Sequence, residues 1–308
     1  MTSTMINKEA LLKLYNTDLD ELLNIASKHI KKDYVEFCSL VNARNGKCSQ
    51  NCKYCAQSSH YRTDIETYPL IDVDTVKEMA MQSKANSVSR FAIVTSGKTP
   101  DESKDFDVLI EMIKEVDKIG GVKSCASIGI LNDELAQKLA VAGLKRFHHN
   151  INTSRSYYPE VCTTHTFEDR INTCKLVKKY GMELCCGVIL GMGESVEQRV
   201  EMALNLAEIE PDSIPINILM PIPETPFEGY LDKIDEEHIL RTLAIFKIAN
   251  PNSILRFCGG RMRLSRENQE RALNSCVEGI MVGNYLTTIG NAPEDDIEMV
   301  KALGKRIV

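Results

Sequence analysis

Eight short apolar segments, each followed by a helical pattern, recur through residues 35–308 with no linker or low-complexity break. That alternation constrains the fold more than any other feature of the chain. The strand readings fall at 35–41, 90–95, 122–128, 144–152, 182–190, 213–219, 254–258 and 279–283. Helical spacing of apolar residues fills 74–86, 104–119, 132–142, 166–180, 195–209, 235–249 and 266–276, and Pro293 opens a last helix. Glycines stop several helices, at Gly120-Gly121, Gly143 and Gly181. Strands joined through helices run parallel, and eight of them close naturally into a (β/α)8 TIM-type barrel, typically about 250 residues long. A doubly wound open sheet would satisfy the same alternation. In both architectures chemistry belongs at the C-terminal ends of the strands. Upstream, residues 7–31 carry two short helical patterns, the second with Asp18 as its N-cap. The expected organisation is an N-terminal helical extension over residues 1–34 and a barrel over 35–308.

The loop after the first strand carries Cys48-Ser-Gln-Asn-Cys52-Lys-Tyr-Cys55. Three thiolates at this spacing each hold one iron of a cubane [4Fe–4S] cluster and leave the fourth iron without a protein ligand. An amino-carboxylate can chelate such an iron. S-adenosylmethionine (SAM) has one, and an electron delivered into its sulfonium releases a 5′-deoxyadenosyl radical able to break an unactivated C–H bond. The competing reading is a zinc site or a four-Cys electron carrier. Zinc knuckles pair C-x2-C units with a fourth ligand nearby, whereas the next cysteine here is Cys125.

Acidic residues exceed basic ones by six, and no basic stripe with interleaved aromatics is present, which argues against nucleic acid. No run approaches 18 apolar residues, so no membrane span is expected. The polar start lacks the apolar stretch of an export signal, so eleven cysteines point to metal binding or catalysis in a reducing cytoplasm rather than to disulfides.

Beyond the triad, Cys38, Cys125, Cys185 and Cys258 fall on the first, third, fifth and seventh strand readings. Inward side chains of alternate strands meet in layers of four in such a barrel. Four thiols would then converge, either as small apolar core residues or as ligands of a second iron–sulfur cluster. Cys186 points the opposite way from Cys185. Cys162, Cys174 and Cys276, on a loop and on helices, read as structural.

These residues together resemble the biotin synthase family. The matching stretches are Cys48 to Tyr61, Cys125-Ala-Ser-Ile-Gly, His149 to Ser154, Thr163 to Arg170, Gly187 to Glu194, Ile214 to Asn217, Arg256 with Gly260-Arg261, and Asn284 to Glu298. The resemblance implies conversion of dethiobiotin to biotin: one sulfur is inserted between two saturated carbons by two SAM-derived radicals, with an auxiliary cluster as sulfur donor. It implies a flavodoxin or ferredoxin as electron donor and often a homodimer. In the family pattern the auxiliary cluster is [2Fe–2S], held by three Cys and an Arg. Cys125, Cys185 and Arg256 match three of those positions, but the fourth is Ala92, and Cys38 and Cys258 stand where the family has Ser. The expectation is an altered auxiliary cluster on Cys38, Cys125, Cys185 and Cys258, closer to [4Fe–4S] than to [2Fe–2S], with Arg256 as neighbour or ligand.

On the substrate side the resemblance assigns Asn150 to SAM and substrate and Asn217 to the ureido ring. It also assigns Arg170 to the SAM carboxylate, and the backbones of Tyr54 and Ile189 to adenine. Asn152 stands where the family has an Asp on the SAM ribose. His148 replaces an Asn that contacts substrate. Gly191-Met-Gly-Glu194 is either a plain strand-to-helix turn or a loop touching SAM. Ala92 and His148 motivate an alternative, a sister radical SAM enzyme without sulfur insertion, such as a methylornithine-synthase-like mutase or a hydrogenase maturase. A non-catalytic iron–sulfur carrier or scaffold is the further alternative.

Overall fold

The computed structural model describes residues 7–30, 33–100, 104–283 and 290–308. Residues 284–289, part of the Asn284 to Glu298 stretch, and residues 1–6 and 31–32 of the N-terminal extension lie outside the described residues. Two helices come first, α1 (Lys8–Tyr15) and α2 (Leu19–Ser27). Asp18 caps α2 as its sequence position suggests, its Oδ1 accepting from the Asp20 and Glu21 amides at 2.9 and 3.1 Å.

The barrel follows in order: β1 (Tyr34–Arg44), α3 (Val73–Ala85), β2 (Arg90–Thr95), α4 (Lys104–Lys118), β3 (Lys123–Ser127), α5 (Asp133–Val141) and β4 (Arg146–His148). Then come the one-turn helix α6 (Tyr158–Val161), α7 (Phe167–Lys179), β5 (Glu183–Cys185), β6 (Val188–Leu190), α8 (Val196–Ile209), β7 (Ser213–Ile218), α9 (Glu236–Ala249), β8 (Ile254–Phe257), α10 (Arg266–Ser275) and β9 (Gly279–Met281). The chain finishes with α11 (Pro293–Ala302) and β10 (Arg306–Ile307). All pairings are parallel, and β9 returns to β1 through Phe37↔Ile280, closing the barrel. The open-sheet alternative is thereby excluded.

Two features depart from the sequence reading. The single fifth strand is two pieces, β5 and β6, broken at Cys186-Gly187. A Cβ on Gly187 would lie 1.9 Å from Pro215 O, so only glycine lets β7 approach there. The chain end also adds β10, which pairs with Tyr34 and Val35 outside the barrel.

Side-chain alternation along β1 sorts its residues. Val35, Phe37, Val41 and Ala43 join the apolar layer between sheet and helices, together with Val76, Leu109, Leu139, Leu206 and Leu243. Burying each such leucine or phenylalanine contributes about 1.5–3 kcal/mol. The alternate residues Glu36, Cys38 and Leu40 face the axis. Helices α1 and α2 pack outside on α8, α9 and α10. Caps at Asp72, Asn132, Thr166, Ser195, Asp235 and Ser265 fix where the helices start, and so hold the strand C-terminal ends open around one mouth.

Candidate active site

A cavity of about 280 Å³ opens at the C-terminal mouth of the barrel. Cys48, Cys52 and Cys55 line it together with Tyr54, His148, Asn150, Asn152, Arg170, Ile189 and Asn217. The loop carrying the three thiols is shaped by its backbone. Cys48 N donates to Gln57 O at 2.9 Å, Ser59 N to Cys48 O at 2.8 Å and Cys55 N to Cys52 O at 3.0 Å. Lys53 N reaches across to Val161 O at 3.0 Å. Gly46 and Lys47, both at positive φ, turn the chain off β1 into this loop. Burial pushes the Cys55 thiol up to about 11.

Thiolates sharing one zinc ion stand about 3.8 Å apart, from a Zn–S bond of about 2.3 Å. The triad is not gathered that tightly. Among the described residues, the one set of three ligand atoms lying within 4.8 Å of one another is Cys52, Cys162 and His165. Separated thiols suit separate irons of a cluster. The Cys52–Cys162–His165 set is itself unsuited to a single ion. Arg170 Nη2 donates to His165 Nε2 at 2.9 Å, and arginine can only donate. The imidazole proton therefore sits on Nδ1, the nitrogen nearest the Cys162 sulfur at 3.3 Å.

Cys162 is the residue that sequence reasoning missed. It read as structural, yet its Sγ lies 3.6 Å from Cys52 Sγ, 110 residues away in the chain. The bond between the two raises the Cys52 thiol and lowers Cys162. No sequence pattern announces such a contact. The nearest signal is that Cys162 begins the Cys-Thr-Thr-His run leading into the stretch that ends at Arg170.

Arg170 is pinned on three sides. Nε donates to Tyr158 Oη at 2.7 Å, Nη1 to Asn150 O at 3.1 Å, and Nη2 to His165. Two of its five N–H groups remain for a carboxylate in the cavity. Asn150 accepts from Gly187 N at 3.0 Å through Oδ1, so its Nδ2 is what it offers. Asn217 is tied at both ends, Nδ2 to Val188 O at 3.2 Å and Oδ1 to Gly259 N at 3.1 Å, with one N–H and one lone pair to spare. Asn152 occupies the left-handed region at φ +67°, and its carbonyl accepts from Ile189 N at 2.8 Å. Tyr54 and Ile189 pack on Val161, Met192, Leu219 and Phe227, an apolar wall. His148 Nε2 is buried and without a partner. Gly191-Met-Gly-Glu194 holds its own turn: Glu194 accepts from the Gly191 and Met192 amides at 2.9 and 2.8 Å and from Arg199 Nε at 3.1 Å.

Deeper in the barrel, Cys38, Cys185 and Cys258 all lie close enough to the Arg256 guanidinium to influence it electrostatically. Cys125 keeps company with Ala92, Val94 and Leu40, toward Arg90. Glu36 receives Arg90 Nε and Arg146 Nη1, each at 3.0 Å, and also Arg256 Nη2. Glu183 holds Arg90 Nη2 and Arg146 Nη2 at 2.8 and 2.7 Å. Three guanidiniums thus face two carboxylates. Arg90 Nη1 and Arg256 Nη1 are buried donors with no acceptor among the described residues. An anionic iron–sulfur cluster among the thiols would supply both the missing charge and the missing acceptors. Cys186 turns outward as alternation requires, 3.8 Å from Cys174 Sγ on α7.

A parallel barrel with three separated thiols lining a polar cavity at its mouth is the arrangement of a radical SAM enzyme. The Radical SAM superfamily matches residues 44–207, and the Biotin and Thiamin Synthesis associated domain matches 215–306. The chain belongs to that superfamily and, within it, to the biotin synthase family. It is 44% identical to the biotin synthase of Acetivibrio thermocellus over 98% of this chain and 95% of that one. Identity is 42% with the biotin synthase of Pelotomaculum thermopropionicum, over 97% and 94% of the two chains. Among solved structures, methylornithine synthase superposes with a TM-score of 0.83 at 16% identity, covering 99% of this chain and 95% of that one. An [FeFe]-hydrogenase maturase gives 0.82 at 16% identity over 99% and 72%. At that identity the two structures establish the fold alone. Among the described residues no helix is long and apolar enough to cross a membrane.

Proposed function

We propose that this chain converts dethiobiotin to biotin, with SAM as radical source and an auxiliary iron–sulfur cluster as sulfur donor. The observation carrying this reading is that one barrel holds a mouth cavity lined by Cys48, Cys52 and Cys55 and also, among its buried strand residues, Cys38, Cys185 and Cys258 near Arg256. Cys48, Cys52 and Cys55 would hold a [4Fe–4S] cluster, which when bound supplies the electron that splits SAM into methionine and a 5′-deoxyadenosyl radical. Cys38, Cys125, Cys185 and Cys258 would hold the auxiliary cluster, closer to [4Fe–4S] than to [2Fe–2S], which supplies the sulfur. Arg256 would serve as a charged neighbour, since Glu36 and Ser213 already engage its Nη2 and Nε.

The chain's own groups do the positioning. Arg170 presents its two free N–H groups to the SAM carboxylate, and Asn152 bonds the ribose. Tyr54 and Ile189 clamp adenine against their apolar wall. Asn150 donates through Nδ2 toward both SAM and substrate. Asn217 offers one donor and one acceptor to the ureido ring, which needs both. His148 presents its unpartnered Nε2 to the substrate. SAM and substrate filling this cavity would displace its water, which would keep the target carbon in line and the radical unquenched. A reduced flavodoxin or ferredoxin would deliver the electron at the mouth, and a homodimer is the expected assembly.

The test is anaerobic reconstitution followed by SAM, dithionite and dethiobiotin, with biotin and 5′-deoxyadenosine quantified together. Both products are expected. 5′-Deoxyadenosine without biotin would overturn sulfur insertion, and intact SAM would overturn radical chemistry altogether.

A further inference from the structure

Two side chains, His165 and Cys162, connect Arg170 in the cavity wall to Cys52 of the Cys48/Cys52/Cys55 triad. Arg170 Nη2 donates to His165 Nε2 at 2.9 Å. His165 Nδ1, which therefore carries the ring proton, lies 3.3 Å from Cys162 Sγ and 2.9 Å from Gln50 Oε1. Cys162 Sγ lies 3.6 Å from Cys52 Sγ. Gln50, Cys52, Cys162 and His165 are buried and Arg170 is partly so, and the Lys53 N to Val161 O bond ties the two cysteine backbones side by side. Two other oxygens lie near Cys162 Sγ: Asn51 Oδ1 at 3.4 Å, which already receives the Thr163 and Thr164 amides and Thr164 Oγ1, and Thr164 Oγ1 at 3.5 Å, which already receives Asn51 N at 3.1 Å.

We infer that Arg170, His165 and Cys162 form a hydrogen-bonded chain ending on Cys52 Sγ, and that this chain sets the potential at which the mouth cluster accepts its electron. The inference rests on Cys48, Cys52 and Cys55 being the ligands of that cluster. An iron-bound thiolate has no proton to donate, so of these two sulfurs 3.6 Å apart only the Cys162 thiol has an S–H to offer, and Cys52 Sγ lies within its reach. A donor on a ligand sulfur stabilises the reduced, more negative cluster and so raises its potential. Hydrogen bonds to charged acceptors are the strong ones, and burial keeps water from replacing this one. His165 fixes Cys162, and Arg170 fixes the tautomer of His165. Cys162 is thus a positioning residue, separate from the three ligands. The chain also links the SAM carboxylate site to the cluster through bonds rather than through space.

The experiment is an EPR-monitored redox titration of the reconstituted protein, with and without SAM, for the wild type and for Cys162→Ala, Cys162→Ser and His165→Gln. Cys162→Ala is expected to move the midpoint to a more negative value while the cluster signal is kept. Cys162→Ser, which retains an O–H donor, is expected to restore part of the shift. His165→Gln is expected to move the midpoint in the same direction by less, and it carries the comparison if Cys162→Ala does not retain its cluster. Variants that load the cluster, cleave SAM and titrate at the wild-type midpoint would overturn the inference and leave the radical reading intact. A wild-type protein that neither loads iron nor cleaves SAM would instead overturn the radical reading.

Discussion

Glu36, on the axial face of β1, receives Arg256 of β8 past Gly279 of the intervening β9, while Arg256 Nε donates to Ser213 Oγ at 2.8 Å. The same carboxylate also neutralises Arg90 and Arg146, so one acidic group organises three guanidiniums. Replacing it leaves buried positive charge without a partner. Removing one member of a buried pair costs about 3–5 kcal/mol, because the survivor keeps its desolvation penalty. Glu36→Gln is therefore expected to lower unfolding free energy by about that amount, read as a fall in denaturant midpoint at unchanged m-value. A midpoint within error of the wild type would mean that water reaches the floor of the barrel.

The same carboxylate sets an acid limit. Burial alone would raise Glu36, but Arg256, Arg146 and Arg90 outweigh it and hold it far below the usual carboxylate range. Glu183 is lowered in the same way, its burial overcome by Arg146 and Arg90. A depressed native value means that the unfolded chain binds the proton first. The stabilisation is complete above the unfolded-chain value of about 4.3, and is lost as pH falls below it toward the native value. Denaturation midpoints measured from pH 6 down to 3 should fall steeply below about pH 4. Glu36→Gln should flatten that slope.

The thiols around Arg256 separate the altered auxiliary cluster from the [2Fe–2S] form. If Cys38 and Cys258 are ligands, Cys38→Ala and Cys258→Ala should each reduce iron and sulfide to the content of one cluster per chain. SAM cleavage at Cys48, Cys52 and Cys55 should persist while biotin formation stops. An unaltered [2Fe–2S] Mössbauer signal in both variants would return these two cysteines to the role of small core residues.

The barrel was readable because its signals are local. Helix caps, glycine stops and apolar alternation each operate within a few residues, and Asp18, Gly143 and Gly181 sit where the sequence places them. The triad stands out because its three cysteines fall within eight residues, and the fold brings all three to one cavity. Contacts between distant segments were not. Nothing local to Gly187 says that Pro215 O will come within 1.9 Å of a side chain there, so the break between β5 and β6 was hidden. Cys162 meets Cys52 only after α6 folds back over the cluster loop. In the same way, nothing in β1 by itself assigns three arginine partners to Glu36.

Asn152 offers a way to separate backbone from binding. Its φ of +67° lies where asparagine is tolerated and where glycine is free of strain, and its N–H and C=O are both bonded, to Gly187 O at 3.1 Å and from Ile189 N at 2.8 Å. Asn152→Ala should therefore lose about 1–2 kcal/mol of stability through the left-handed backbone and lose the side-chain amide as well. Asn152→Gly should keep the wild-type denaturation midpoint to within a few tenths of a kcal/mol, about the scale of a change without packing consequence. Its KM for SAM should nevertheless rise, because the ribose contact is gone. Asn152→Asp should lower that KM, since a carboxylate accepts from ribose hydroxyls more strongly than an amide does. A glycine variant with unchanged KM for SAM would show that Asn152 is retained for its backbone conformation alone.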